Sequence, residues 1–285
     1  MIQWYPGHMA KTKKIIAENL KHIDIALHII DARIPKSSYN PLLERILGSK
    51  PQIIVFNKAD LADSSANKKW IMYYNDKGIN IVETNAKNRQ GIDDIFKTAR
   101  DLMRNRREKL MRVGYVNVPI RLMILGIPNV GKSTLINAMV GSTKAKVGNK
   151  PGITKGKQWI RIGDEFEYMD TPGILWPKFE DEMTGYMLAL VGSINDDLLD
   201  FEELSLKFIE RIVQRYPEVL LEKYKLDRLS DDNYTNLVNI GKKRGCLIKG
   251  GEVDTLKAAK IVIDDFRSGR LGNITLELPE DIGHE

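Results

Sequence analysis

The amino-acid sequence predicts an α/β domain with a largely parallel sheet, followed by a small all-α domain. Up to Asp170, short runs that are rich in β-branched residues alternate with polar segments of helical length. After Trp176 and Pro177 this alternation stops, and apolar residues recur at helical spacing only. We therefore expect an α/β domain over residues 1–177 and a helical domain over residues 178–285.

The expected elements follow the order of a sheet with crossover helices. The predicted strands cover residues 25–31, 52–57, 79–84, 120–125, 158–162 and 166–170. Helices are predicted over residues 41–47 and 67–77, after Gly91, and over residues 132–140. Two apolar sets carry the helical spacing in the second domain: Leu204, Phe208, Ile209 and Ile212, and Leu256, Ala259, Ile263 and Phe266. Each set predicts a helix with one buried face.

The composition is that of a globular protein that folds without disulfides. Hydrophobic residues make up 42% and charged residues 29% of the 285 residues, which is typical of soluble domains. The longest apolar stretch, residues 23–32, contains charged side chains and is too short to cross a bilayer, and the first residues lack the pattern of a secretory signal. The single cysteine, Cys246, is expected to be a buried, inert thiol. We therefore expect a cytoplasmic protein without membrane insertion or a transition-metal site.

The net charge of +6 hides an asymmetry along the chain. Residues 1–180 contain 30 lysines and arginines against 17 acidic residues, which gives +13, whereas the remainder has 14 against 21, which gives −7. The basic excess lies mainly in residues 100–112 and 144–161. Such runs are either solvated surface or a binding face for a phosphate-rich partner such as RNA. The second run flanks a predicted switch loop, which favours contact with nucleic acid.

A phosphate-binding loop is predicted at residues 126–133, which read Gly-Ile-Pro-Asn-Val-Gly-Lys-Ser and fit G-x-x-x-x-G-K-[ST]. The glycines let backbone N–H groups turn towards phosphate oxygens at the start of a helix. Lys132 should reach the β- and γ-phosphates, and Ser133 should bind Mg²⁺ through its hydroxyl. The residues expected to contact a nucleotide here are Asn129, Val130, Gly131, Lys132, Ser133 and Thr134.

Two further runs fit loops that sense the terminal phosphate of a nucleoside triphosphate. Asp170-Thr-Pro-Gly173 ends a predicted strand, where Asp170 would hold Mg²⁺, usually through water, and the Gly173 N–H would meet the γ-phosphate. Thr154 lies in the loop before these strands, and its hydroxyl could bind Mg²⁺ only while the γ-phosphate is present. Thr154 could instead be a loop threonine without a ligand, since Thr143 and Thr171 are nearby alternatives.

Guanine recognition is predicted for Asn57-Lys58-Ala59-Asp60, which fits N-K-x-D after a strand. The Asp60 carboxylate can accept hydrogen bonds from N1–H and the exocyclic amine of guanine, a donor pair that adenine lacks. The Lys58 stem can cover the base plane. After the next strand, Asn85 and Ala86 are expected to place a backbone N–H near the guanine carbonyl, although turn chemistry alone would also explain an Asn there. The predicted ligand is GTP or GDP.

The order of these motifs is reversed relative to an ordinary GTPase, in which the phosphate loop opens the domain. Here the guanine motif at residues 57–60 precedes the phosphate loop at residues 126–133. The sequence therefore predicts a circularly permuted P-loop GTPase domain with the helical domain directly behind a phosphate-sensing loop. We expect the nucleotide state to set the arrangement of the two domains.

The motif order N-K-A-D, N-A-K, G-I-P-N-V-G-K-S-T, P-G-I-T, D-T-P-G is similar to that of the circularly permuted GTPases. The run W-Y-P-G-H-M at residues 4–9 resembles the opening of the ribosome biogenesis GTPase A family, and the likeness covers nearly the whole chain. It implies a Mg²⁺-dependent GTPase that assists late assembly of the large ribosomal subunit and contacts ribosomal RNA (rRNA) and ribosomal proteins. It also implies a monomer off the ribosome that binds neither membrane nor DNA. Asn85 departs from the serine that G domains generally carry at this position.

The sequence leaves open which group positions the attacking water. Many GTPases carry a Gln shortly after D-x-x-G, whereas Ile174 and Leu175 follow Gly173 here. The resemblance implies two candidates: Asn129, which would hold a K⁺ ion, and His8, whose counterpart is implicated in hydrolysis on the ribosome. His8 could instead only cap the helix that follows it.

Two other functions stay open at this point. One is a GTP-gated protein that binds RNA or the ribosome and hydrolyses GTP only incidentally, which the missing Gln favours. The other is a permuted GTPase of another RNA process, such as assembly of the small ribosomal subunit.

Overall fold

The computed structural model describes residues 14, 16–116, 118–142, 159–170, 175, 179 and 181–282. Its strands are β1 (Ile25–Asp31), β2 (Gln52–Asn57), β3 (Asn80–Thr84), β4 (Ile120–Gly126), β5 (Ile160–Ile162) and β6 (Phe166–Asp170). They form one sheet in the spatial order β3-β2-β1-β4-β6-β5. All neighbouring strands are parallel except β5 and β6. The six predicted strands are confirmed, and three of them differ from the prediction by one or two residues at one end.

Strand β4 lies inside the sheet although it is fourth along the chain. On one side it pairs with β1, where Ile29 stands opposite Gly126, and on the other side it pairs with β6. β1 in turn pairs with β2, so that Ile29 also stands opposite Val55. The strand that carries the guanine motif and the strand that carries the phosphate loop are therefore both neighbours of β1. The reversed chain order still gives one continuous sheet, as a circularly permuted GTPase domain requires.

The helices follow the predicted alternation up to α5, and from α6 onwards helix follows helix. Their bounds are α1 (Pro35–Ser38), α2 (Pro41–Leu47), α3 (Ser64–Asp76), α4 (Ile92–Arg112), α5 (Lys132–Ser142), α6 (Glu182–Leu190), α7 (Phe201–Arg215), α8 (Pro217–Tyr224), α9 (Asn233–Lys243) and α10 (Thr255–Arg267). In the described part of the chain, no helix has the length and apolar character needed to span a bilayer.

Side chains of the sheet pack helices on both of its faces. Ala26 packs in a buried cluster with Leu43 of α2, whereas Leu27 belongs to the larger core that includes Phe96 of α4. Because neighbouring strand residues point to opposite faces, a strand covered on both sides is apolar throughout. All seven residues of β1 are buried accordingly.

The helical part packs around α7 and α10. The rings of Phe208 and Phe266 lie 4.9 Å apart between their centroids, and both predicted apolar faces are buried with one exception. Leu256 is 45% exposed, so its predicted place in the core is wrong. It lies in the first turn of α10, next to Thr255, whose hydroxyl donates to Glu202 of α7. Cys246 is fully buried, as predicted.

The chain after α10 returns to the sheet as an extended segment. The Ile274 N–H donates to the Leu61 carbonyl at 3.0 Å, and the Leu276 N–H donates to the Arg33 carbonyl at 2.8 Å. Leu61 directly follows the guanine motif, so this segment supports the loop that carries the motif. The division into residues 1–177 and 178–285 stays a prediction.

Candidate nucleotide site

The predicted nucleotide motifs meet at the carboxyl edge of the sheet. β1 ends at Asp31, β2 at Asn57 and β4 at Gly126. Asp31 stands directly opposite Asn57, and Gly126 stands opposite Ile29 of the same β1 strand. Open α/β sheets bind ligands at this edge, where the strand order reverses. Both halves of the reversed motif order therefore contribute to one site.

Two glycines of the phosphate loop are required by the atoms around them. Gly126 has a φ of 154°, and a Cβ there would lie 2.6 Å from the Ile29 carbonyl oxygen. Gly131 has a φ of 96°, and a Cβ there would lie 2.4 Å from Nδ2 of Asn57. A larger residue at either position would need both an unfavourable backbone conformation and more space. These glycines therefore allow the loop to pack against β1 and β2.

Lys132 begins α5 and folds back over the phosphate loop. Its ammonium group donates to the carbonyls of Gly126 at 3.2 Å and Ile127 at 2.7 Å. Ser133 and Thr134 follow in the first turn of α5 and are exposed. A helix N-terminus beside a lysine is an arrangement that binds anions. The structure thus brings the predicted phosphate-binding residues together.

Asn57 joins the guanine motif to the phosphate loop. Its Nδ2 donates to the Val130 carbonyl at 2.8 Å. Its Oδ1 accepts from the Thr84 hydroxyl at 3.0 Å and from the Ala86 N–H at 3.3 Å. Asn57 is only 3% exposed, so these bonds form away from water. One side chain therefore fixes the positions of the loops that follow β2, β3 and β4.

Lys58 is also held between two loops of the site. It adopts a left-handed conformation with a φ of 60°. Its ammonium group donates to Oδ2 of Asp31 at 2.9 Å and to the Asn129 carbonyl at 2.8 Å. The guanine motif and the phosphate loop are thus connected a second time. The role of the Lys58 stem in covering the base stays a prediction.

Asp31 and Arg33 belong to this site, although the sequence reasoning identified neither of them. Arg33 donates to Oδ1 of Asp31 from Nε at 2.9 Å and to Oδ2 from Nη2 at 2.8 Å. Their side chains are 0% and 2% exposed. The sequence does contain a signal for them, because charged residues at the end of a fully buried strand need partners there.

The charge of Asp31 is fixed by its surroundings. Burial opposes ionisation of this carboxyl, but the charges of Arg33 and Lys58 outweigh it and hold the pKa of Asp31 well below its usual range. Asp31 is therefore an anion at neutral pH. It can hold Arg33 and Lys58 in place at the same time.

The predicted base-reading residue Asp60 is accessible. It lies in a short 3-10 helix, Ala59–Leu61, directly after the end of β2, and its side chain is exposed. This position leaves the carboxylate open to a ligand at the carboxyl edge. Its contact with guanine stays a prediction.

Asn85 shapes the second predicted base loop. Its side-chain oxygen accepts from the Asn88 N–H at 3.2 Å, and its backbone pairs with that of Gln90. The same Asn88 N–H donates to the Asn85 backbone carbonyl at 3.1 Å, so the Asn85 side chain reinforces a β-turn. The Ala86 N–H is directed to Asn57, as described above, and its predicted contact with the guanine carbonyl is untested.

The helical part contacts the phosphate loop from outside. The side-chain amide of Asn129 donates to the Gly192 carbonyl. The Ser193 hydroxyl donates to the Pro128 carbonyl at 2.8 Å. No sequence pattern predicts this contact, because it joins residues 63 and 65 positions apart on different elements.

Several predicted residues lie outside the described part of the chain. These are His8, Thr154 and Gly173, and of Asp170 only the backbone is described. Asp170 ends β6 beside β4, so its backbone lies at the same edge of the sheet. Leu175 is fully buried. It therefore packs in the core, where it has no contact with solvent water.

Arginines of the basic run on α4 are largely paired with acidic side chains. Arg100 and Arg107 both contact Glu165, at 3.0 and 3.1 Å, and Arg106 pairs with Asp24. These pairs neutralise part of the positive charge. For these arginines the structure favours a solvated, salt-bridged surface over a dedicated phosphate-binding face.

Comparison with known proteins agrees with this site. A family model described as "50S ribosome-binding GTPase" matches residues 121–215. A protein named ribosome biogenesis GTPase A from Bacillus cereus is 42% identical over 285 residues, covering 100% of this chain and 96% of the relative. A protein named probable ribosome biogenesis GTPase A from Mycoplasma genitalium is 30% identical, covering 97% of both chains.

Solved structures extend the agreement to the fold. GNP-bound YlqF from T. maritima matches with a TM-score of 0.62 and 26% identity, covering 95% of this chain and 100% of that chain. A GDP-bound YlqF structure gives the same TM-score and identity and covers 94% of this chain. The sequence match to the Bacillus cereus relative covers 100% of this chain and so spans the segments that carry both motifs. This protein therefore belongs to the ribosome biogenesis GTPase A family and is a circularly permuted GTPase.

Proposed function

We propose that this protein hydrolyses GTP to GDP and phosphate while it assists late assembly of the large ribosomal subunit, and that its nucleotide state controls its affinity for the subunit and its rRNA. The observation that carries the GTP assignment is the Asn57 side chain, which binds the phosphate loop and the second base loop together. The assembly role is supported by the relatives' name, ribosome biogenesis GTPase A, and by the family description, 50S ribosome-binding GTPase.

Guanine recognition is assigned to the two loops that Asn57 connects. Asp60 is exposed at the sheet edge, and its carboxylate would accept hydrogen bonds from N1–H and the exocyclic amine of guanine. The Ala86 N–H, which donates to Asn57 at 3.3 Å, would turn to the guanine carbonyl when the base is bound. Both groups stand on loops that are fixed to the phosphate loop, so base and phosphates are bound in a defined relation.

Phosphate binding is assigned to Lys132 and the N-terminus of α5. The Lys132 ammonium group would exchange its carbonyl partners for the β- and γ-phosphates. Ser133, Thr154 and Asp170 would hold Mg²⁺. Hydroxyl and carboxylate oxygens suit this cation, and exposed Ser133 at the start of α5 lies on the same sheet edge as the end of β6. When bound, Mg²⁺ neutralises charge on the phosphates.

Hydrolysis is assigned to groups other than a glutamine after D-x-x-G. Asn129 is exposed, and its amide nitrogen is engaged by the Gly192 carbonyl, which leaves the amide oxygen as the atom that would hold K⁺. Bound K⁺ supplies positive charge near the phosphates, as an arginine finger does. His8 would orient the attacking water on the ribosome.

A GTP-gated binding protein with incidental turnover is the second candidate. Leu175 favours it. This residue follows D-x-x-G, where many GTPases carry a Gln that orients water, but its side chain is aliphatic and fully buried. The two candidates predict different rates. The GTP hydrolysis rate of an assembly GTPase rises in the presence of its ribosomal particle. A GTP-gated binding protein hydrolyses GTP slowly with or without the particle.

The experiment is GTP hydrolysis in K⁺ and in Na⁺ buffer, each without ribosomal particles, with large subunits and with small subunits. Strong stimulation by large subunits, greater in K⁺, is the expected result. Stimulation by small subunits only would reassign the assembly process. Equal binding to large subunits with GDP and with a non-hydrolysable GTP analogue would contradict nucleotide control, because a ligand shifts an equilibrium only through differential affinity.

A further inference from the structure

The turn after α6 reaches the phosphate loop directly. It consists of Val191, Gly192 and Ser193, and Gly192 has a φ of 76°. As described above, its carbonyl accepts from the Asn129 side chain, and the Ser193 hydroxyl donates to the Pro128 carbonyl at 2.8 Å. Two consecutive residues of the turn thus bind two consecutive residues of the phosphate loop.

Arg267, the last residue of α10, fixes this turn. It donates to the carbonyls of Leu190 at 3.0 Å and Ala189 at 2.7 Å, which are at the C-terminal end of α6. It also makes two bonds to the Asp196 carboxylate, at 2.8 and 2.9 Å. A cation at this end satisfies carbonyls that have no partner within the helix. The position of the turn therefore depends on how α10 packs.

The same end of α10 is connected to the guanine motif. Arg33 donates from Nη1 to the carbonyls of Phe266 and Arg267, both at 3.3 Å. Arg33 also binds Asp31, and Asp31 binds Lys58, which donates to the Asn129 carbonyl. Together with the backbone from Leu190 to Gly192, these hydrogen bonds form a closed ring of contacts that begins and ends at Asn129.

The backbone of Asn129 turns sharply within the phosphate loop. Its φ is 59°, a left-handed conformation that asparagine adopts more readily than other residues with a side chain. Lys58 holds its carbonyl, and Gly192 holds its side chain. The loop on either side of Asn129 must present its N–H groups to phosphate.

We propose that the turn 191–193 is a positioning element for the phosphate loop, through which displacement of the helical part lowers affinity for guanine nucleotide. This inference rests on the proposed function for its nucleotide and concerns regulation of the same site. A ribosomal partner that moves α6 or α10 would pull the turn from Pro128 and Asn129 and release the nucleotide faster. This route acts on the loop itself and is separate from the predicted switch at residues 170–173.

A pair of serine variants tests the proposal in the full chain. Ser193→Ala removes the hydroxyl bond to Pro128, and Ser205→Ala removes a bond of the same kind and length, 2.8 Å to the Glu202 carbonyl, within α7. Amide hydrogen exchange is measured over residues 126–131 without nucleotide, and dissociation of a fluorescent GDP is measured in parallel. We expect Ser193→Ala to raise both rates about threefold to tenfold, and Ser205→Ala to leave both at the wild-type values.

Arginine variants apply a larger perturbation. Arg267→Gln loses the cap on α6. Arg215→Gln, at the end of α7, loses two bonds to the Asp281 carboxylate, which keeps Arg211 as a partner, and it does not touch the ring. We expect faster exchange at residues 126–131 in the first variant only. Unchanged exchange there in both Ser193→Ala and Arg267→Gln would overturn the proposal, and so would faster exchange with unchanged GDP dissociation. Failure of the wild-type protein to bind GDP would instead contradict the proposed function, and the exchange data would still decide the positioning role.

Discussion

The amide nitrogen of Asn57 donates to the carbonyl of Val130 across 2.8 Å, although 73 positions separate the two residues. The bond joins the guanine motif directly to the phosphate loop. Chain connectivity does not bring them together, since α3, β3 and α4 lie between β2 and β4 along the chain. A buried hydrogen bond therefore fixes their relative positions.

Replacing Asn57 with Ala should weaken both folding and nucleotide binding. The change removes three hydrogen bonds and leaves the Val130 carbonyl and the Ala86 N–H without this partner. We expect the free energy of unfolding to fall by about 2–4 kcal/mol and GDP affinity to fall by at least about tenfold. Urea unfolding and isothermal titration calorimetry measure the two effects.

Asn236→Ala is the matched control for this prediction. Asn236 is fully buried and makes two hydrogen bonds to the backbone of Ser230, both at 2.8 Å, within the helical part. Its loss should reduce stability without changing GDP affinity at a temperature where both variants are folded. Equal GDP affinity in Asn57→Ala and the wild type would show that the connection is structural only.

Gly131→Ala should abolish nucleotide binding. A Cβ at this position would lie 2.4 Å from Nδ2 of Asn57, so the Asn57 bond to the phosphate loop must break or shift. Gly78→Ala is the control, because Gly78 also has a positive φ, 70°, but has nothing within 4 Å of the added atom. That variant should lose only about 1 kcal/mol of stability from backbone strain. Fluorescent GDP titration distinguishes them, and retained binding in Gly131→Ala would contradict this geometry.

Arg33→Met should destabilise the protein strongly, because it removes the buried one of the two cations that pair with Asp31 and leaves Lys58. Removing one partner of a buried ion pair costs about 3–5 kcal/mol. The second change Asp31→Leu removes the buried charge that has lost this partner, so the double variant should recover part of this loss. Urea unfolding of the two single variants and of the double variant gives the coupling free energy between Asp31 and Arg33. Additive losses in the double variant would mean that Asp31 and Arg33 act independently.

His28 should make the protein sensitive to mild acid. It is fully buried on β1, its ring lies 4.7 Å from that of Tyr39, and burial lowers its pKa from 6.5 to about 3. The unfolded chain therefore takes up a proton below pH 6.5 that the folded protein does not bind. Stability should fall as the pH drops from about 6.5 towards 3, by at most about 1.4 kcal/mol per pH unit from this group.

The control for this pH dependence is a pair of histidine variants. His28→Phe should flatten the slope between pH 6.5 and 5, whereas His22→Gln, at a partly exposed site, should retain it. The difference from wild type isolates His28, because Glu277, whose pKa burial raises, titrates in every variant. An unchanged slope in His28→Phe would assign the acid sensitivity to other groups.

The sequence was sufficient to predict the elements that depend on residues close together in the chain. Residues 52–57 are an apolar run that ends in a polar motif, and the glycines of the phosphate loop stand where packing requires them. Contacts between distant segments were not predictable in this way. The bonds of Gly192 and Ser193 to the phosphate loop depend on how α6 ends and how α10 packs, and neither residue has a distinctive pattern.

Buried charged residues show more closely what could not be predicted from the sequence. Asp31 ends β1 and Arg33 follows two positions later, yet their partners Lys58 and the α10 carbonyls come from far along the chain. A sequence can therefore suggest that such charges are paired, while the partners follow from the fold. The pairing of α4 arginines with Glu165 and Asp24 is a second case, since the basic run alone left both a solvated surface and a phosphate-binding face open.

Asp60→Asn should change the base specificity while it leaves the fold intact. Asp60 is exposed in its short 3-10 helix, so the substitution removes no buried contact. The amide can accept only one of the two hydrogen bonds from guanine, and it can donate to the additional oxygen of xanthine. Loss of a hydrogen bond to a charged group costs about 1.5–3 kcal/mol, so GTP affinity should fall by about tenfold to a hundredfold, while affinity for xanthosine triphosphate should rise.

Asp76→Asn, at an exposed position at the end of α3, is the control and should bind GTP as the wild type does. Competition between the two nucleotides, read by fluorescence, measures the ratio. If Asp60→Asn kept the wild-type preference for GTP, the base would be read by other residues, and the connection through Asn57 would serve the phosphate loop alone.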